Sequence, residues 1–122
     1  MKKLILISSV VVLSLVLLFT GCFPPDCPAP DGSKITVHRG TTATGGMIIQ
    51  GVEGSVAPGA TVTVTDGDGN TATTTADATG SFTLMEADLP MDFDHTLGNN
   101  LSVTQKSEGC NESPAVDVEI EF

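Results

Sequence analysis

The stretch Val116–Phe122 alternates without a break: Val116, Val118, Ile120 and Phe122 are apolar, and Asp117, Glu119 and Glu121 between them are acidic. On a helix this pattern would scatter the apolar groups around the axis. On a strand it puts all of them on one face. The same period of two recurs at Ala60–Thr65, where Val62 and Val64 oppose Thr61, Thr63 and Thr65. Further short runs with strand composition are Ile35–His38, Met47–Val52, Thr71–Ala76, Ser81–Met85 and Leu101–Thr104. Turn residues separate them, notably Asp66-Gly67-Asp68-Gly69-Asn70 and Asp77-Ala78-Thr79-Gly80. Seven short strands punctuated in this way predict an all-β fold, a single β-sandwich over residues 35–122. The longest irregular stretch is Glu86–Asn100, and Arg39–Gly46 reads as a Thr/Gly-rich loop.

The N-terminus follows different rules. Lys2 and Lys3 precede an apolar run from Leu4 to Phe19, interrupted only by Ser8, Ser9 and Ser14. Small residues Thr20 and Gly21 come next, and then Cys22. A basic start, an apolar core and a small-residue junction define an export signal. The run is shorter than the ~20 apolar residues that span a bilayer comfortably. Phe19-Thr20-Gly21-Cys22 resembles the lipobox of bacterial lipoproteins, with Phe19 where that family usually has Leu, Val or Ile. The resemblance implies a signal helix over 1–21 that is removed, and a diacylglyceryl group and further acyl chains such as palmitate on Cys22. Two or three acyl chains hold a protein firmly where one does not. It also implies an exported, lipid-anchored protein. Phe23 follows the cysteine where an inner-membrane lipoprotein of enteric bacteria would carry Asp, so a two-membrane host implies the outer membrane. Residues 22–34, with Pro24, Pro25, Pro28 and Pro30, read as a semi-rigid Pro-rich tether between lipid and sandwich.

Charge narrows the partners. The chain has a formal net charge of −10, and loss of Lys2 and Lys3 with the signal would leave −12, with only Lys34, Arg39 and Lys106 basic. Phosphate contacts need clusters of Lys and Arg, so no nucleic acid is expected as a partner. The membrane is reached through lipid, and a protein or glycan partner is left open.

The long stretch Val52-Glu53-Gly54-Ser55-Val56-Ala57-Pro58-Gly59-Ala60-Thr61-Val62-Thr63-Val64-Thr65-Asp66-Gly67-Asp68-Gly69-Asn70 resembles the signature of bacterial immunoglobulin-like domains. Asp77–Phe82 is similar to that family's following turn and strand, and Gly109–Val118 to its last hairpin. The resemblance implies an Ig-like sandwich serving as a non-catalytic spacer or binding module of the cell envelope, of the kind found in adhesins. A carboxypeptidase-regulatory-like accessory domain is an alternative with a similar sandwich. Of three cysteines, lipidation takes Cys22, and Cys27 and Cys110 remain as an even pair suited to an oxidising compartment. In an Ig-like sandwich the start of the first strand and the last hairpin share one end, which implies a Cys27–Cys110 disulfide. Two free thiols or a bond to another chain are the competing readings.

Two acidic groups invite a calcium reading. Asp66, Asp68 and Asn70 recur at alternate positions and Asp77 is twelfth, as in a calcium loop, but Thr71 stands where that loop needs Gly. Asp-Gly is also a strong hairpin signal, and the hairpin is the preferred reading. Asp88, Asp92, Asp94 and His95 form a second group, read as a solvated loop. The only histidines, His38 and His95, lack zinc-ligand spacing. No Gly-x-Ser-x-Gly elbow is present, and no catalytic residue is expected.

Overall fold

The computed structural model describes residues 24–39 and 46–122. The signal segment 1–21 and Cys22 lie outside the described residues, as does most of the loop after Arg39. Seven strands are present: β1 (Ile35–Arg39), β2 (Met47–Gly51), β3 (Thr61–Thr65), β4 (Thr71–Thr75), β5 (Phe82–Met85), β6 (Asn100–Lys106) and β7 (Val116–Glu121). They correspond one for one to the seven runs read from the sequence.

The ladder runs β4-β3-β6-β7-β1-β2-β5. β7 is the hinge of this order. Its first part pairs antiparallel with β6, from Val116↔Val103 to Glu119↔Asn100. Its last part pairs parallel with β1, at Val37↔Ile120 and His38↔Glu121. One strand therefore belongs to both layers, and the end strands β4 and β5 meet on the other side. The layers enclose the alternating residues: Ile35, Val37, Ile49, Val62, Val64, Leu84, Leu101, Val103, Val118 and Ile120 are all buried. Each such aliphatic side chain contributes about 1.5–3 kcal/mol by leaving water.

Two departures from the pattern have physical causes. Phe93, inside the irregular 86–99 stretch, is buried and joins the core, flanked by the partly buried Leu89 and Leu97. It closes one end of the sandwich without belonging to a strand. β6 extends to Lys106, two residues past the expected end, because Gln105 continues the inward parity of Leu101 and Val103 as a buried polar residue. Both the oxygen and the nitrogen of its amide are engaged. Oε1 accepts from the Ala57 N–H at 2.7 Å, and Nε2 donates to the Pro28 carbonyl at 2.7 Å. Its backbone N–H donates to Ser113 Oγ at 2.9 Å.

Gln105 belongs to a knot at the end of the sandwich where the chain enters. Cys27 and Cys110 form a disulfide with a Cα–Cα distance of 5.1 Å, inside the range such bonds require. Cys27 is buried, its N–H donates to the Asn111 carbonyl at 2.8 Å, and Asn111 N–H donates to the Pro25 carbonyl at 2.9 Å. Asn111 Nδ2 adds a bond to the Pro24 carbonyl at 3.0 Å. Further along, Asp31 N–H donates to the Ser55 carbonyl, and Pro30 is buried. The proline-rich residues from Pro24 onward thus lie against the sandwich. Gly80, at φ +79°, completes the knot, because a Cβ there would collide with the Val56 carbonyl.

Breaking either part of the knot should be costly. The bond spans a sequence separation of 83 residues. Replacing both cysteines by serine should lower stability by about 2–5 kcal/mol. Non-reducing peptide mapping should recover Cys27 and Cys110 in one linked product, and two free thiols would contradict the bond. Gln105→Met keeps the volume but strands the Ala57 N–H and the Pro28 carbonyl, which should cost about 2 kcal/mol or more. A urea midpoint that falls at constant slope is the expected readout.

Candidate functional site

Strand direction divides the loops between two ends. β1, β3, β5 and β7 run away from the disulfide, and β2, β4 and β6 run back towards it. The far end therefore carries the 66–70 turn, the 86–99 segment, Arg39 and Phe122, and the disulfide end carries 52–60, 76–81 and 107–115. Both acidic groups singled out in the sequence converge on the far end, with one exception.

Asp66 is the centre of that convergence. It is buried at 6% exposure, and its carboxylate accepts four hydrogen bonds. Oδ1 takes the N–H groups of Asp68 and Asn70 at 3.0 and 2.8 Å. Oδ2 takes Asn70 Nδ2 at 2.9 Å and the Asp94 N–H at 2.9 Å. Burial alone would push this carboxyl up. The Asn70 amide and the N–H groups of Asp94, Asn70 and Asp68 outweigh it, and the carboxyl lies below its ordinary range. Asn70 Nδ2 also donates to the Asp92 carbonyl at 3.1 Å. A hairpin turn is thereby fastened to a loop more than twenty residues later. Gly69, at φ +89°, allows the turn to close.

The exception is Asp77, which lies one full strand away at the disulfide end. Its Oδ1 accepts from Thr79 N–H, Thr79 Oγ1 and Ser81 N–H at 2.8, 2.7 and 3.0 Å. It caps the β4–β5 turn. Asp66, Asp68, Asn70 and Asp77 consequently do not form one loop around a common centre. The 66–70 turn joins an antiparallel hairpin, with β3 and β4 paired from Thr61↔Thr75 to Thr65↔Thr71. Among the described residues no group of three or more His, Cys, Asp and Glu side chains stands close enough to hold a metal ion.

The second group is also dispersed. Asp88 Oδ2 accepts from the Met85 N–H, closing a short 3-10 turn over Glu86–Asp88. Asp94 accepts from Thr96 N–H and Asn99 Nδ2 at 2.9 and 2.7 Å. The Asn99 amide, then Thr96, holds its carboxyl below the usual range. His95 reaches elsewhere, with Nε2 2.7 Å from Glu86 Oε2 and Nδ1 facing the Phe93 carbonyl. Both ring nitrogens thus face oxygen atoms, one on the Phe93 carbonyl and one on the Glu86 carboxylate. Glu86 Oε2 also accepts the Met47 N–H at 2.8 Å, and Arg39 Nη1 lies 3.4 Å from the His95 carbonyl. Met47 first, then His95, holds the Glu86 carboxyl below its ordinary value. Arg39, His95, Thr96 and Leu97 line an open depression beside this latch. His38 has a separate partner, the Phe122 carbonyl at 3.1 Å from Nδ1.

Sequence reasoning marked Asp66, Asp94 and His95 but missed Glu86 and Arg39, whose roles depend on β1 ending and β2 starting beside the 86–99 segment. The chemistry on view is loop fixation. Asp66 ties one turn to the long segment, and Glu86 ties that segment to β2.

These carboxylates make stability depend on acid in a definite direction. Asp66, Asp94 and Glu86 all have folded-state values below their unfolded ones. Their contribution is complete above the unfolded values near 4 and is lost as pH falls through the lower folded values. Melting temperature should fall as pH drops from about 5 towards 3. Asp66→Asn replaces one acceptor with a donor facing N–H groups. It should cost about 1–3 kcal/mol at neutral pH and flatten the acid slope. Comparing the two slopes separates this site from the general relief of negative repulsion.

A family profile described as a bacterial Ig domain matches residues 29–121. No curated protein matches the chain. Domains of this kind are typically surface-exposed or extracellular and typically non-catalytic. The match covers most of the sequence and coincides with the whole sandwich, so the chain belongs to the bacterial Ig domain family.

Proposed function

We propose that this chain is a lipid-anchored module of the bacterial cell envelope, with acylated Cys22 as the anchor and the Ig sandwich as a non-catalytic structural or binding body. The observation that carries the reading is the junction Thr20-Gly21-Cys22, placed after a basic start and an apolar run and just before a bacterial Ig domain. The Cys27–Cys110 disulfide supports export, since such bonds persist in oxidising compartments and are rare in the cytosol. The acidic character, with three basic residues after Cys22, fits a soluble body reaching a protein or glycan rather than nucleic acid. In a two-membrane host, Phe23 after the cysteine favours the outer membrane.

Mass spectrometry of the membrane fraction should find an N-terminal peptide beginning at Cys22 with acyl mass added. Cys22→Ser should accumulate as an uncut precursor. Normal cleavage of that variant to a soluble form would refute the anchor and leave the Ig domain assignment intact.

A further inference from the structure

Residues 22–34 read from sequence as a tether, and thirteen residues of extended chain could hold a domain some 40 Å from its lipid. The docked path removes nearly all of that reach. From Pro24 to Asp31 the chain is fixed to the sandwich by Asn111, the disulfide, Gln105 and Ser55 in turn. Cys22 stands only two residues before Pro24. Two virtual bonds of 3.80 Å limit the separation of their Cα atoms to about 7.6 Å. Resting on the lipidation of Cys22, we infer that the sandwich is held upright, its disulfide end against the bilayer surface and its far end outward.

The two ends differ in surface character. Around the disulfide, Asp26, Lys106, Glu108 and Glu112 are all exposed. Such a charged end can lie among hydrated headgroups without sinking below them; its carboxylates do not draw it to anionic lipid, so the short link to Cys22 is what holds it there. Met91 and Phe122, two of the most exposed large apolar side chains, belong to the opposite end, at 101% and 70% exposure. β6, seven residues long, separates the ends by about 20 Å at 3.3 Å per residue. The 66–70 turn and the 86–99 segment, fixed together through Asp66, therefore form the face offered to whatever approaches the membrane. The bilayer takes the 107–113 hairpin.

The test uses full-length lipidated protein in vesicles of phosphatidylethanolamine and phosphatidylglycerol whose headgroups carry a nitroxide quencher. A fluorophore is placed on the far end through Asp68→Cys or on the disulfide end through Glu112→Cys, both at exposed positions. Quenching should be several-fold stronger at position 112 than at position 68. A ten-residue Gly/Ser insertion between Phe23 and Pro24 should abolish the difference, since a flexible spacer frees the body to rotate. Equal quenching without the insertion, or stronger quenching at position 68, overturns the orientation while the anchor stands. Protein that fails to acquire lipid and stays off the vesicles overturns the anchor and the orientation together.

Discussion

Everything in this sandwich depends on β7 pairing with two strands at once. Its Val116–Glu119 portion completes one layer against β6, and Ile120 and Glu121 complete the other against β1. Without the second pairing, β1, β2 and β5 would be a three-stranded sheet with no strand of the other layer hydrogen-bonded to its edge. The first and last strands lie parallel, so the topology cannot close until the C-terminal strand is in place. The inward residues of β7, Val118 and Ile120, both belong to the single buried core. The alternation that makes Val116–Phe122 the clearest strand in the sequence is thus also the alternation that joins the layers.

The two ends are secured by different means because they face different demands. At the disulfide end, backbone groups of the entering chain have no strand to pair with, and a buried carbonyl or N–H without a partner is expensive. Asn111 and Gln105 supply those partners, one from the β6–β7 hairpin and one from inside the core. At the far end, a long segment must cross the mouth of the sandwich. Phe93 plugs it, and Asp66 and Glu86 fasten the backbone on either side. A carboxylate suits that task, because each of its oxygens can accept two N–H groups.

Strand existence was legible in the sequence because a period of two is local. The Cys27–Cys110 bond was legible once the fold resemblance put the first strand and last hairpin at one end. What escaped was non-local or broke parity. Gln105 sits at an inward position of β6, and a rule that stops a strand where an inward position turns polar ends it at Thr104. The sequence Leu101, Val103, Gln105 held the signal, but only three-dimensional neighbours show the amide satisfied. Phe93 carries no periodicity at all. Asp77 fell at the right interval for a calcium loop, yet β4 intervenes and carries it to the opposite end. Spacing along a chain corresponds to proximity only within one turn, and that interval contains a whole strand.

The disulfide also decides how load would pass through an anchored domain. In a chain held at Cys22, a pull on the far end arrives at the anchor through whatever connects Pro24 to the sandwich. If β1 were the only connection, tension would fall on its two-residue parallel contact with β7 and on β2. Cys27 diverts it. The bond hands tension directly to Cys110, in the hairpin joining β6 and β7, before β1 begins. β6 pairs with β3 over five registers and with β7 over four, so the force spreads across the strands of the better-paired layer. Hydrogen bonds of adjacent strands loaded along their length must fail together rather than one after another. In the proposed anchored protein the covalent link would therefore do more than limit the unfolded chain: it would pass load to the layer with the more extensive strand pairing.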